Sequence, residues 1–348
     1  MRSLRVGVIG CGYWGPKIVR NFAELPQSHL VAVADLCEDR LRDLAVSYPE
    51  LRLYTDYQAM LRTSDIDAVA IATPVSTHFQ IAWDCLRQGK HVLVEKPLVA
   101  DSTQGEELVA LAQRQGLTLM VGHTFEHNPA VEVLRQLVAS DELGDVYYVN
   151  ATRVNLGIFQ KDINVMWDLA PHDLSILLYV LGVTPDAVSA KGSAFVQPGI
   201  QDVAYLTLRF PGGIMAHVHV SWLDPCKVRT ITIVGSKKMV VYDDVEPLEK
   251  VRVYDKGVVI PSTSGSFGDF QLSYRYGDIS IPYIPLIEPL KSECAHFVES
   301  AVNNQCPKSS GLVGLRVVKI LETAQKSLSN GGMEERIDWQ RVTHLAGA

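Results

Sequence analysis

The chain has 348 residues, 47% of them hydrophobic and 20% charged, with a formal net charge of −7. That length exceeds one typical core and predicts two domains of ordinary globular composition. The acidic balance argues against a nucleic-acid partner, and no apolar run approaches the roughly 18 residues of a membrane span.

Arg2 and Arg5 precede a strand-like run in place of a cleavable apolar segment, so a cytoplasmic protein is expected. Cys11, Cys37, Cys85, Cys226, Cys294 and Cys306 are scattered without metal-ligand spacing and read as reduced thiols. His217-Val218-His219 would put two imidazoles on one strand face, but no third ligand is apparent, and no metal is expected.

Leu4-Arg5-Val6-Gly7-Val8-Ile9 enters the turn Gly10-Cys11-Gly12-Tyr13-Trp14-Gly15, and the chain leaves it through Pro16 with helical spacing. Gly10, Gly12 and Gly15 form G-x-G-x-x-G. This spacing occurs in ordinary strand-to-helix turns and is also the fingerprint of a dinucleotide-binding turn. In the second case the first glycine allows the tight turn, the second admits a pyrophosphate, and the third lets the helix pack closely. The next apolar run, His29-Leu30-Val31-Ala32-Val33-Ala34, separates the readings. It ends on Asp35, about twenty residues past the turn, where a carboxylate accepts ribose hydroxyls and repels a 2′-phosphate. The combination predicts a nicotinamide cofactor, NAD before NADP; Arg40 and Arg42 are near enough in sequence to reach a 2′-phosphate.

To about residue 123, the apolar runs Val6–Ile9, Val31–Ala34, Ala68–Ala72, Val92–Val94 and Leu117–Val121 alternate with helical stretches Glu38–Tyr48, Thr77–Gln88 and Thr103–Gln115. Strands apolar throughout suit a parallel sheet covered on both faces, so residues 1–123 are expected to form a doubly wound Rossmann domain. Its ligand belongs at the carboxyl ends of the strands, where Thr73-Pro74 with His78, Glu95-Lys96-Pro97 and Gly122-His123 lie. A lysine directly after a buried run either snorkels to solvent or has a use for its charge.

Residues 124–348 form the expected second domain, with the packing of its last helices back on the first domain left open. Pro129–Ala139 reads as a helix and Val146–Asn155 as a strand. The runs Val203–Phe210, Ile214–Trp222, Val228–Val234 and Met239–Asp243 read as hairpins of an open, largely antiparallel sheet. If its uncovered face is apolar, a second subunit is needed, which predicts a homodimer or homotetramer. Residues 256–289, with Pro261, Pro282, Pro285 and Pro289, read as a long loop before the helices Leu290–Asn303 and Leu312–Leu328.

Trp167-Asp168-Leu169-Ala170-Pro171-His172-Asp173 reads as a helix start, with Asp168 as cap and Pro171 in the first turn. Asp168 and His172 stand four apart there. Either they are a cap and a hydrogen-bonded core residue, or the histidine exchanges a proton near neutral pH.

With Gly10-x-Gly12-x-x-Gly15, Glu95-Lys96-Pro97 and Asp168-x-x-x-His172 in place, nearly the whole chain resembles the Gfo/Idh/MocA oxidoreductases. The resemblance implies a Rossmann domain, an α/β domain whose open sheet serves oligomerisation, and hydride transfer at a sugar or cyclitol carbinol carbon. It implies Lys96, His172 and Asp168 at the reacting carbon, and the turn Gly10–Gly15, Asp35, Arg40, Thr73, Pro74, His78, Glu95, Lys96 and His123 around the cofactor. Arg153 and Asn155 are candidate substrate contacts, an arginine there suiting a carboxylate or phosphate. The segments around Arg153 and Asp168 are most similar to members encoded with bacterial surface-polysaccharide genes, which implies a nucleotide-linked sugar, such as a UDP-amino sugar uronate oxidised at C3. Alternatives are inositol or free-sugar dehydrogenation, ketosugar reduction in a deoxysugar pathway, or a non-catalytic cofactor-binding regulator.

Overall fold

A computed structural model describes residues 3–63, 65–259 and 272–347. The chain forms two compact units. One comprises Met1–His127, Ile287–Glu322 and Asp338–Ala348; the other comprises Asn128–Leu286 and Thr323–Ile337.

In the first unit, strands β1 (Leu4–Ile9), β2 (Ser28–Ala34), β3 (Arg52–Tyr54), β4 (Ala68–Ile71), β5 (His91–Glu95) and β6 (Leu119–Gly122) form a sheet in the order β3-β2-β1-β4-β5-β6. Every pairing is parallel. The order reverses beside β1, so the crevice at the carboxyl ends of β1 and β4 is the topological switch point where ligands of such sheets bind. Helices α1 (Gly15–Glu24), α2 (Glu38–Ser47), α3 (Tyr57–Thr63), α4 (Val75–Arg87) and α5 (Ser102–Gln115) connect the strands. Strand β3 and helix α3 escape a reading by apolar runs, because β3 is three residues long with no buried position.

The second unit begins with α6 (Pro129–Ala139), capped by the Asn128 side chain on the Ala130 N–H at 3.0 Å. Strand β7 (Val146–Val154) and helix α7 (Val165–Leu181) follow. The sheet then takes in β8 (Ala187–Ser193), β9 (Val203–Arg209), β10 (Met215–Ser221), β11 (Val228–Gly235), β12 (Met239–Asp243), β13 (Val251–Val259) and β14 (Ser273–Ser280). After α8 (Pro289–Asn303) and α9 (Gly311–Ser329), the strand β15 (Glu335–Arg336) pairs with β8, and α10 (Gln340–Ala346) ends the chain. Nine strands run in the order β14-β13-β12-β11-β7-β10-β9-β8-β15, and the β7–β10 pair is the parallel one. Ala204, Leu206 and Leu208 of β9 and Ala216, Val218 and Val220 of β10 turn inward on the helix side. The opposite face is mixed: Tyr205 stacks between His217 and His219, with ring centroids 5.9 and 4.3 Å away.

Two expectations are corrected here. The stretch 256–289 is not one loop, since β13 and β14 form an antiparallel pair within it; residues 260–271, with Pro261, lie outside the described residues. Helix α7 starts at Val165, not near Leu169, because the Asn164 side chain caps it by accepting the Trp167 N–H at 3.2 Å. Asp168 is therefore inside the first turn, donating its own N–H to Asn164 at 3.1 Å, and Pro171 sits within the helix. A proline there forgoes one bond of the helical ladder.

Candidate active site

At the switch point, Gly10 has φ +96°, and a Cβ there would stand 2.6 Å from the Ala72 carbonyl oxygen. A Cβ on Gly15 would run into the Gly10 carbonyl oxygen, whereas one on Gly12 would meet nothing within 4 Å. The three positions thus serve the tight turn, close helix packing and an open approach for phosphate. Tyr13 and Trp14 stand exposed at the lip of this turn, with the Lys17 ammonium 3.7 and 4.3 Å from their ring centroids.

Asp35 follows β2 as the sequence places it. Its carboxylate accepts the Cys11 N–H at 2.5 Å and the Cys37 N–H at 2.8 Å, with the Arg40 guanidinium 3.6 Å away. A carboxylate offers about four acceptor positions, so the turn is braced with capacity left for ribose hydroxyls. Burial, helped by Asp35, pushes the Cys11 thiol up to about 12 and keeps it neutral. Open backbone at Gly12 and an acid at the end of β2 fit an NAD pyrophosphate and adenosine ribose.

Beyond β4, Thr77 Oγ1 lies 2.7 Å from Thr73 Oγ1 and 2.8 Å from the Pro74 carbonyl oxygen, closing the first turn of α4. His78 is 1% exposed, and its ring nitrogens each lie 2.9 Å from a carbonyl oxygen, those of Pro97 and Thr73. The expectation that His78 lines the cofactor is corrected: its polar atoms are spent on the backbone of the two loops. His123 is likewise behind the surface, wholly buried, and burial with the charge of Lys96 pushes it down to about 3. It backs the site as a neutral ring.

Lys96 is half-buried at the end of β5, and its N–H donates to the Glu95 carboxylate at 3.2 Å. Glu293 of α8 accepts the Thr124 hydroxyl at 2.5 Å and is 1% exposed. Burial raises the pKa of both glutamates, and the charge of Glu95 raises that of Glu293 further, while Lys96 pulls Glu95 the other way. An acid on the buried side of a helix is unusual enough to be noticed in sequence; that it feels the charge of Glu95 is not visible there.

In the second unit, Asp168 and His172 lie four apart on α7, both half-buried. Asp168 accepts the Trp222 indole N–H at 2.9 Å. Trp222 is buried against Phe159, with ring centroids 5.6 Å apart. The Asn155–Gly157 segment runs beside it: Asn155 N–H donates to Ser221 at 3.2 Å and Gly157 N–H to Trp222 at 2.9 Å. A Cβ on Gly157 would stand 3.0 Å from the indole, so that position lets the backbone lie on Trp222. Sequence reasoning missed Trp222, which ended an alternating run with no mark of function.

Arg153 is corrected as a substrate contact. It is 4% exposed and holds Asp173 through two hydrogen bonds of 2.8 and 2.9 Å. The strand's inward face commits that guanidinium to an internal pair, whose carboxylate outweighs burial and raises the arginine's pKa.

The six cysteines are free. Among the described residues, no group of three or more His, Cys, Asp or Glu side chains is placed to hold a metal ion, and no helix is long and apolar enough to cross a membrane.

A doubly wound parallel sheet with this glycine turn and terminal acid defines an NAD-binding domain. The chain belongs to the Gfo/Idh/MocA family: residues 4–123 match the model of the oxidoreductase family with an NAD-binding Rossmann fold, and residues 131–241 match the GFO/IDH/MocA C-terminal domain. It is 34% identical to UDP-N-acetylglucosamine 3-dehydrogenase of Acidithiobacillus ferrooxidans over 64% of this chain and 68% of that one. The solved structure of that enzyme superposes with a TM-score of 0.78 at 26% identity, covering 95% of this chain and 99% of the other. Identity to myo-inositol 2-dehydrogenase of Thermotoga maritima is 25% over 93% of this chain and 96% of that one. Scyllo-inositol dehydrogenase of Lactobacillus casei, solved with NAD(H) and scyllo-inositol, shares the fold at TM-score 0.78 and 20% identity, covering 96% of this chain and 99% of the other.

Proposed function

We propose that the protein oxidises a ring hydroxyl of a nucleotide-linked amino sugar, at C3, with NAD as hydride acceptor. The observation that carries this reading is the 34% identity to a UDP-N-acetylglucosamine 3-dehydrogenase. The uronate form has less support. Arg153, the residue expected to meet a carboxylate, is committed to Asp173, so the simple amino sugar comes first.

Bound NAD supplies the hydride acceptor. His172 takes the hydroxyl proton, Lys96 hydrogen-bonds the same oxygen and stabilises its developing negative charge, and Asp168 orients the histidine. What supports the roles is the shared helix face of Asp168 and His172, four residues apart, together with a lysine at the carboxyl end of β5. Asn155 is the remaining candidate substrate contact.

Initial rates of NADH formation test the reading. UDP-N-acetylglucosamine should be turned over far faster than its uronate, myo-inositol or glucose. The 25% identity to myo-inositol 2-dehydrogenase over most of both chains gives the second reading, cyclitol oxidation, and faster turnover of myo-inositol would select it.

A further inference from the structure

We infer that His78 is a positioning residue that ties the turn after β4, on the cofactor side, to the loop that carries Lys96. The strands β4 and β5 pair side by side only as far as Ile71 and Val94. Past that point Thr73 and Pro97 belong to separate loops, and the imidazole spans them, with Nε2 2.9 Å from the Thr73 carbonyl oxygen and Nδ1 2.9 Å from that of Pro97. Both partners are acceptors, so the ring serves them only by donating. Packed at 1% exposure, the ring has no solvent to turn to instead.

Burial lowers the pKa of His78, carbonyl acceptors oppose this, and Lys96 adds to it. A neutral imidazole has one N–H, so its two tautomers hold different loops: Nε2–H holds Thr73 and Nδ1–H holds Pro97. The same ring therefore holds the cofactor turn in one tautomer and the backbone next to Lys96 in the other. A substitution can separate these two duties, because an asparagine amide nitrogen falls near the Nδ1 position and a glutamine amide nitrogen near Nε2.

The test uses the full-length protein with His78→Asn and His78→Gln, measuring NADH dissociation constant, kcat and melting temperature for each. His78→Asn keeps the Pro97 tie and loses that to Thr73. Its NADH dissociation constant should rise about tenfold with kcat nearly retained, tenfold being what one net hydrogen bond amounts to. His78→Gln does the reverse: kcat should fall about tenfold with NADH affinity nearly retained. Equal losses in both constants, following the melting temperature, would overturn the inference and leave His78 a structural residue. Either variant decides alone if the other does not fold. The inference rests on the reading that Lys96 acts at the carbinol oxygen, so Lys96→Ala is measured alongside. Retained turnover there sinks that reading, whereas lost turnover there without the His78 split sinks only this inference.

Discussion

Trp222 donates its indole N–H to the Asp168 carboxylate across 2.9 Å, from the residue after one strand to the first turn of a helix. A hydrogen bond to a charged group is worth about 1.5–3 kcal/mol, and this one fixes the direction of the acid beside His172. Trp222→Phe keeps most of the buried ring and removes the donor. Its kcat should fall about tenfold or more, while NADH affinity, read by fluorescence titration, stays near that of the parent. Unchanged kcat would show that Asp168 needs no such support.

Arg153 and Asp173 test whether the pair is internal. Removing one partner of a buried pair leaves an unpaired charge and costs about 3–5 kcal/mol, whereas replacing both with apolar residues is often neutral. Arg153→Met should therefore lower unfolding free energy in urea by that amount, and adding Asp173→Leu should restore much of it. If Arg153→Met instead leaves stability alone and raises only the substrate KM, the arginine faces substrate.

Asp35 is expected to set cofactor choice. Asp35→Asn keeps one acceptor oxygen for the turn and removes the charge that repels a 2′-phosphate, while Arg40 loses its ion-pair partner. NADH affinity should fall about tenfold and the preference for NADH over NADPH should narrow by more. An unchanged ratio of the two dissociation constants would remove Asp35 from discrimination.

Two buried histidines and two buried glutamates set opposing pH dependences on the stability of the first unit. His123 and His127 are pushed down to about 3, chiefly by burial, against an unfolded value of about 6.5. Between these values the unfolded chain binds more protons, so stability falls as pH drops below 6.5, by about 1.4 kcal/mol per unit for each histidine. From pH 6.5 to 5 this is about 2 kcal/mol for each. Glu95 and Glu293 act oppositely: their raised values favour the folded state in acid, and that contribution is lost as pH rises through them. Over pH 5 to 6.5 the two pairs offset each other, so urea melts of the parent should be nearly flat there, and Glu293→Gln, which removes one opposing group, should steepen the acid limb; an equally flat limb in that variant would contradict buried neutral histidines.

Light scattering should return the mass of two or four chains, with the mixed outer face of the nine-stranded sheet as the contact. A mass of 38.4 kDa would overturn it.

The parallel sheet was legible in the sequence because its central strands are apolar on both faces, and the runs ending at Ile9, Ala34 and Ile71 stand out against polar loops. The glycine turn and Asp35 were legible because each has a fixed spacing from a strand end. Lys96 was visible as a charge at the end of an apolar run. What could not be read was which polar side chains point inward. Arg153 alternates correctly for a strand, but only the partner strand and helix reveal that its inward neighbour is Asp173. His78 and His123 follow strands as ligand-facing residues do, and tertiary packing alone turns both rings inward. The start of α7 was misplaced because Asp168 and Asn164 are both good caps, and the helix tolerates Pro171 beyond its first turn.

Helix α8 has a consequence for how the protein is made. Phe297 of that helix meets Phe22 of α1 edge to face at 6.2 Å, and Leu290, Cys294 and Val298 complete the same core as Val6 and Val8 of β1. The ribosome must therefore synthesise Asn128–Leu286, the larger part of the second unit, before the nucleotide-binding core can close. A nascent chain released at His127 would present the apolar side of α1 to solvent, and chaperone binding should persist until residues near Ala301 emerge.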